Sequence, residues 1–146
     1  GGIGAVIYEE FFIKIIRKGK RDNSNFVAIL GLIFIAGVLL LIFYFKINSI
    51  YATSILMLFM GIIIVMRRHD LLKNALGSGI LASLVMFVFY FVWTILFPEI
   101  IQNWWKLENI SGIIIIGAPL EELLWGFAWG FFAGPIYEYW RDIHVK

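Results

Sequence analysis

Three stretches of the chain, Phe26–Phe45, Ile50–Met66 and Ala75–Phe97, contain no Asp, Glu, Lys or Arg at all. A helix needs about 20 consecutive apolar residues to cross the hydrocarbon layer of a bilayer. Runs of that length so close together leave room for little besides membrane-spanning helices. Composition agrees, with 62% hydrophobic and 15% charged residues, against roughly 45–50% and about 25% in soluble domains. The mean hydropathy is +0.91. A soluble domain is excluded.

The expected fold is therefore all-α, a polytopic integral membrane protein of about five transmembrane helices. Gly1 to Ile16 reads as the end of a truncated crossing, interrupted by Glu9, Glu10 and Lys14 and followed by Arg17, Lys18, Lys20 and Arg21. The full spans are expected at 26–45, 50–66, 75–97 and 112–140. Asp22-Asn23-Ser24-Asn25 offers N-cap side chains before the first of these, and Pro98 stops the third. The segment 99–111 mixes Trp104, Trp105 and Lys106 with polar residues, the pattern of a stretch lying in the membrane interface. A helix over 112–140 would be about 43 Å long at 1.5 Å per residue, so it must tilt, kink at Pro119 or protrude.

Basic residues set the orientation, because cytoplasmic loops collect them. Lys14, Arg17, Lys18, Lys20, Arg21, Arg67, Arg68, Lys73, Arg141 and Lys146 fall on one side, and only Lys46 and Lys106 on the other. The C-terminus is expected in the cytoplasm, in a prokaryotic inner membrane. The net charge of +2 is divided among helix ends and forms no single patch for nucleic acid. With no cysteine there is no disulfide, thiolate metal site or thiol nucleophile. His69 and His144 lie in basic ends without metal-ligand spacing, so no metal site is expected.

Gly1-Gly2-Ile3-Gly4-Ala5-Val6-Ile7-Tyr8-Glu9 aligns with Gly130-Phe131-Phe132-Ala133-Gly134-Pro135-Ile136-Tyr137-Glu138, sharing Ile-Tyr-Glu and a leading glycine. On this reading the chain is the C-terminal part of a two-repeat helical bundle. Residues 1–21 end a first repeat that begins upstream, and 22–146 form the second. Glu9 and Glu138 become equivalent secondary acids, each following a Tyr at a cytoplasmic end, where a solvated or tyrosine-paired carboxylate is expected.

The chemistry points to Glu121 and Glu122, which on the expected span lie nine and ten residues into the last crossing, near the midplane. Charge at hydrocarbon depth costs about 2.5–3.5 kcal/mol on insertion scales and normally faces the protein interior. No Lys or Arg lies between Gly112 and Trp140. At least one of the pair should therefore be a neutral acid at pH 7, a proton donor. The simpler reading is a pair that only holds helices together. Helical spacing separates the two. Glu122 lines up with Gly126, Gly130 and Gly134, a small-residue stripe for close helix packing. Glu121 lines up with Leu124, Trp125, Ala128 and Phe132, with Trp129 on the flank. Aromatic faces beside an acid can stabilise a carbocation. Glu121 is thus expected to line a pocket and Glu122 to contact a neighbouring helix.

Gly117-Ala118-Pro119-Leu120-Glu121-Glu122-Leu123-Leu124-Trp125 resembles the Pro-x-Glu-Glu signature of the membrane-embedded lycopene cyclase domain, the type found in heterodimeric bacterial enzymes and in fungal bifunctional ones. Leu123 and Leu124 stand where members of that family usually continue with Phe. The resemblance implies two similar helical repeats and a hydrophobic polyene substrate. It also implies the lipid bilayer and a second repeat or homologous subunit as partners, and cofactor-independent, acid-catalysed cyclisation of a carotenoid end group, which is an isomerisation. Glu121 and Glu122 would be catalytic, and Pro119, Trp125, Trp129 and Phe132 would bind substrate. A rival from another class is a non-catalytic membrane subunit whose glutamates bridge helices. Ala118-Pro119-x-Glu121-Glu122 also resembles the first motif of CAAX-type intramembrane proteases. That reading is disfavoured because Gly126 stands where they carry Arg and both histidines lie outside the apolar spans.

Overall fold

The computed structural model describes residues 15–18 and 23–145. A short strand β1 (Ile15–Lys18) precedes helix α1 (Ser24–Leu39), which widens into a π-helical turn at Leu40–Tyr44. Helix α2 spans Ser49–Arg67, and a 3₁₀ turn at His69–Leu71 leads into α3, Leu72–Leu96. A short helix α4 (Ile100–Trp104) and a 3₁₀ turn (Leu107–Asn109) connect to the two-residue strands β2 (Ile114–Ile115) and β3 (Ala118–Pro119). Helix α5 then runs from Leu120 to Arg141, and β4 (Ile143–Val145) pairs antiparallel with β1. The protein is an all-α membrane protein: among the described residues, Ser24–Tyr44, Ser49–Arg67 and His69–Leu96 are long and apolar enough to cross a bilayer.

Helix α5 is the hub. It packs along α3 and, on another side, along α2, which touch each other little. Tyr51 of α2 meets Glu121 near the start of α5, and Arg67 meets Tyr139 near its end, so α2 and α5 run parallel. Asn74 of α3 meets Glu138, so α3 is antiparallel to both. The glycine stripe makes this packing close. A side chain at Gly130 would strike the Ser78 backbone, one at Gly126 the Met86 side chain, and one at Gly134 the Ser78 side chain. Gly126, Gly130 and Gly134 all approach α3.

Two buried clusters close the ends. Leu30, Met60, Ile64, Leu71 and Tyr139 pack at the basic end, and Tyr90, Ile101 and Ala118 at the other. At the basic end Arg67 lies 3.9 Å from the Phe26 ring centroid, and Arg68 bridges Asp70 and Asp142. The outer faces remain apolar: Leu32, Ile35, Phe43, Leu84, Val85 and Ile95 are all exposed. In water such faces would be a liability; in a bilayer they are lipid contacts.

Two local expectations are corrected. The last helix begins at Leu120, not Gly112, because residues 112–119 form a small hairpin with Ile114 opposite Pro119 and Ile115 opposite Ala118. Proline pushes the residue before it into extended backbone, and the turn is made by Ile116 and Gly117, both at positive φ. Gly117, at φ +85°, also has Thr94 pressed against it, and the Thr94 hydroxyl donates to its carbonyl at 3.1 Å. A helix can propagate only beyond Pro119, so α5 is about 33 Å long at 1.5 Å per residue. The second correction concerns Ile15 and Ile16, assigned to the end of a helical crossing and found in β1, where pairing with β4 outweighs the local apolar pattern. The remainder of that crossing, including Glu9 and the Gly1–Glu9 copy of the repeat, lies outside the described residues.

Candidate functional site

Because α5 starts after Pro119, Glu121 and Glu122 stand in its first turn. The helix N-terminus carries unpaired amides and a partial positive charge, so this position stabilises negative charge better than the middle of a helix would. The expected depth of nine and ten helical residues is replaced by a place beside the hairpin and the loop after α4.

Glu121 is 3% exposed. Its Oε1 accepts from the Tyr51 hydroxyl at 2.8 Å and from the Ser111 amide at 2.8 Å. Its Oε2 is buried and has no hydrogen-bond partner among the described residues. Buried polar atoms are paired in the great majority of cases, and exceptions often mark functional groups. Glu122 is half-buried. Its Oε1 accepts from Trp105 Nε1 at 3.1 Å, and the Tyr90 hydroxyl lies beside the same carboxyl. The Tyr90 and Trp105 rings meet edge to face, with centroids 5.5 Å apart.

One connecting loop therefore holds both acids, Trp105 near its start and Ser111 near its end. Asn48, the N-cap of α2, ties that loop down: its Oδ1 accepts from the Ile50 amide at 3.0 Å and its Nδ2 donates to the Asn109 carbonyl at 3.2 Å.

An open cavity of about 380 Å³ adjoins the pair, lined by Ser49, Ile50, Thr53, Glu122 and Trp125. Trp125 is held by a bond from Nε1 to Thr53 Oγ1 at 3.1 Å and stacks on Trp129, with centroids 6.1 Å apart and planes 5° from parallel. The carboxyl on this cavity is Glu122, where sequence spacing had put Glu121. Glu121 is turned toward α2 and sealed beneath Tyr51 and Ser111. Helical spacing fixes the angle between the two side chains but not the rotation of α5 against its neighbours, and that rotation decides which one the cavity sees.

The remaining residues divide. Trp125 lines the cavity, and Trp129, stacked on Trp125, is 40% exposed. Phe132 stacks instead on Phe34 of α1, with centroids 6.4 Å apart, and Pro119 is buried at the N-cap of α5; neither lines the cavity. Glu138, expected to be solvated or tyrosine-paired, is 2% exposed and accepts from Nδ2 of Asn74, a buried residue whose Oδ1 accepts from the Ser78 hydroxyl at 3.1 Å. Tyr137, its sequence neighbour, points outward at 46% exposure. Asn74 lies on the face of α3 that packs against α5, which overrides the end-of-helix expectation. Sequence reasoning passed over Tyr51, Thr53 and Ser111, and it read Trp105 only as an interfacial residue. A Tyr and a Thr in the first turns of an otherwise apolar crossing are the one signal that could have found two of them. Among the described residues, no group of three or more His, Asp or Glu is placed to hold a metal ion.

A family model described as Lycopene cyclase matches residues 48–140. That segment runs from the N-cap of α2 almost to the end of α5 and contains the cavity, both carboxyls and every residue that holds them. No curated protein and no solved structure matches the chain.

Proposed function

The chain belongs to the lycopene cyclase family, and from that premise we propose that it closes a carotenoid end group into a ring by acid catalysis inside the membrane, without a cofactor. The observation that carries the reading is the adjacent pair at the start of α5, one carboxyl buried with a bare oxygen and the other on a cavity with Trp125. Two adjacent carboxylates repel, while a helix N-terminus favours one negative charge. The pair accordingly keeps one proton between its two groups, a general acid and a general base on one turn.

The reaction balances with no further reactant. The acid delivers its proton to the terminal double bond of the polyene. The neighbouring double bond attacks the resulting cation, forming the ring carbon–carbon bond. A proton then leaves the adjacent carbon for the carboxylate, the new double bond forms, and the pair returns to its starting charge. Product and substrate are isomers. Glu122 and the indole faces of Trp125 and Trp129 supply negative potential near the developing cation. The apolar surroundings keep out water that would trap it.

The polyene enters from the bilayer, whose lipid contacts the exposed faces of α1–α3. A second helical repeat or homologous subunit, the C-terminus in the cytoplasm and residence in a prokaryotic inner membrane belong to the same proposal. They are supported by the short repeat and by the distribution of basic residues. The test is carotenoid analysis of lycopene-accumulating cells expressing the full-length protein. Cyclised product that depends on Glu121 and Glu122 is expected; unchanged lycopene with a folded, membrane-inserted protein would favour a non-catalytic subunit.

A further inference from the structure

Pro98 ends α3, and the chain turns back at once into α4. The Phe97 backbone leaves the helical region, as the residue before a proline usually does, and the Glu99 carbonyl accepts from the Asn103 amide at 3.0 Å. Glu99 and Asn103 thus stand one turn apart. The same turn brings Trp104 against Trp93 of α3, with ring centroids 6.2 Å apart and planes at 87°. These two indoles, with Phe97, Glu99 and Asn103, line an open pocket of about 690 Å³. It shares no residue with the cavity beside Glu122.

Indole planes at a right angle make a corner, and a cation is drawn to the face of a Trp ring within about 6 Å of its centroid. Glu99 adds negative charge. It is exposed and has no ion pair among the described residues, so the protein leaves that charge to an outside partner. The side-chain oxygens of Glu99 and Asn103 accept hydrogen bonds, which a primary ammonium supplies through its N–H groups and a quaternary one does not. Position adds the rest of the ligand. At 1.5 Å per residue α3 is about 37 Å long against a hydrocarbon layer of roughly 30 Å, so its end reaches the headgroups, where Trp is enriched. From the pocket an exposed apolar stripe of Leu96, Val92, Phe89 and Val85 runs back along α3, at the spacing of one helix face. We propose that the corner of Trp93, Trp104 and Glu99 is a lipid site, taking the primary ammonium of a phosphatidylethanolamine whose acyl chain lies on that stripe. The site stands whether or not the carboxyl pair of α5 is catalytic.

Native mass spectrometry of the full chain released from nanodiscs of mixed phosphatidylethanolamine and phosphatidylglycerol reads the occupancy. The wild type should retain phosphatidylethanolamine about fivefold over phosphatidylglycerol, and over phosphatidylcholine in a second mixture. Glu99→Gln keeps the shape and removes the charge, while Trp104→Ala removes one wall. Each should lower the retained phosphatidylethanolamine about fivefold. Both residues are exposed, so folded yield should match the wild type, and Glu99→Gln carries the test if Trp104→Ala does not fold. Excess soluble phosphoethanolamine should leave the lipid in place, because it has no acyl chain. Retention without preference for phosphatidylethanolamine, or a preference that survives both substitutions, overturns the site. Phosphatidylcholine held equally well overturns the choice of a primary ammonium, and displacement by phosphoethanolamine overturns the lipid as occupant.

Discussion

The Tyr51 hydroxyl lies 2.8 Å from Glu121 Oε1 although 70 positions separate the two residues in the chain. The bond joins the first turns of two parallel helices and so sets their vertical register as well as the Glu121 carboxyl. A hydrogen bond in an apolar surround has few competing partners, which makes it a sharper constraint on helix position than the apolar contacts beside it.

Glu121→Gln is expected to reduce cyclisation by at least about 100-fold, the lower range for losing a general acid or base. Folded yield should stay close to wild type, because Gln still offers an Oε1 acceptor to Tyr51 and Ser111. Glu122→Gln should fall comparably, since this carboxyl lines the cavity; sequence spacing alone had suggested a milder loss. Product ratios in lycopene-accumulating cells, normalised to membrane protein yield, check both. Two variants that cyclise like the wild type would remove catalysis from α5.

Gly130→Ala should destabilise the bundle by about 1–3 kcal/mol, the usual cost of forcing extra volume into a packed contact, because the new methyl meets the Ser78 backbone of α3. Gly31→Ala is the contrasting case. Nothing lies within 4 Å of the added carbon, and removing a glycine from a helix interior should stabilise by roughly 0.5–1 kcal/mol. Denaturation in mild detergent should rank the three proteins with Gly31→Ala first and Gly130→Ala last.

Asn74→Ala should cost about 1–3 kcal/mol by taking a buried donor from Glu138. The Glu138 cluster lies roughly 25 Å along α5 from Glu121 at 1.5 Å per residue. The protein that still folds should therefore cyclise at the wild-type rate. Loss of turnover at unchanged stability would instead make this second buried carboxyl part of the reaction.

Because the chain has no cysteine, single cysteines report topology directly. His69 and Glu108 are both exposed and lie at opposite ends of α3. A cysteine at 69 should react with an impermeant maleimide only from the cytoplasmic side, and one at 108 only from the outside. Labelling of both from the same face would contradict the orientation read from the basic residues.

The apolar runs determined by themselves that the chain is helical and membrane-embedded, and they located α1, α2 and α3 to within a few residues, because span length is set by bilayer thickness and not by any partner. Local sequence also contained the small-residue spacing of Gly126, Gly130 and Gly134, which meet α3, and it set Glu121 and Glu122 side by side just after Pro119. Pro119 already contained the start of α5, although the apolar run from Gly112 concealed it. Tertiary structure alone decided that Glu122 faces the cavity and Glu121 faces Tyr51, that Phe132 turns to Phe34, and that Asn74 buries Glu138. Periodicity fixes the angles between side chains on one helix. The rotation and height of that helix against its neighbours depend on close packing and buried hydrogen bonds between residues far apart in the chain, such as Tyr51 with Glu121, and no local pattern contains them.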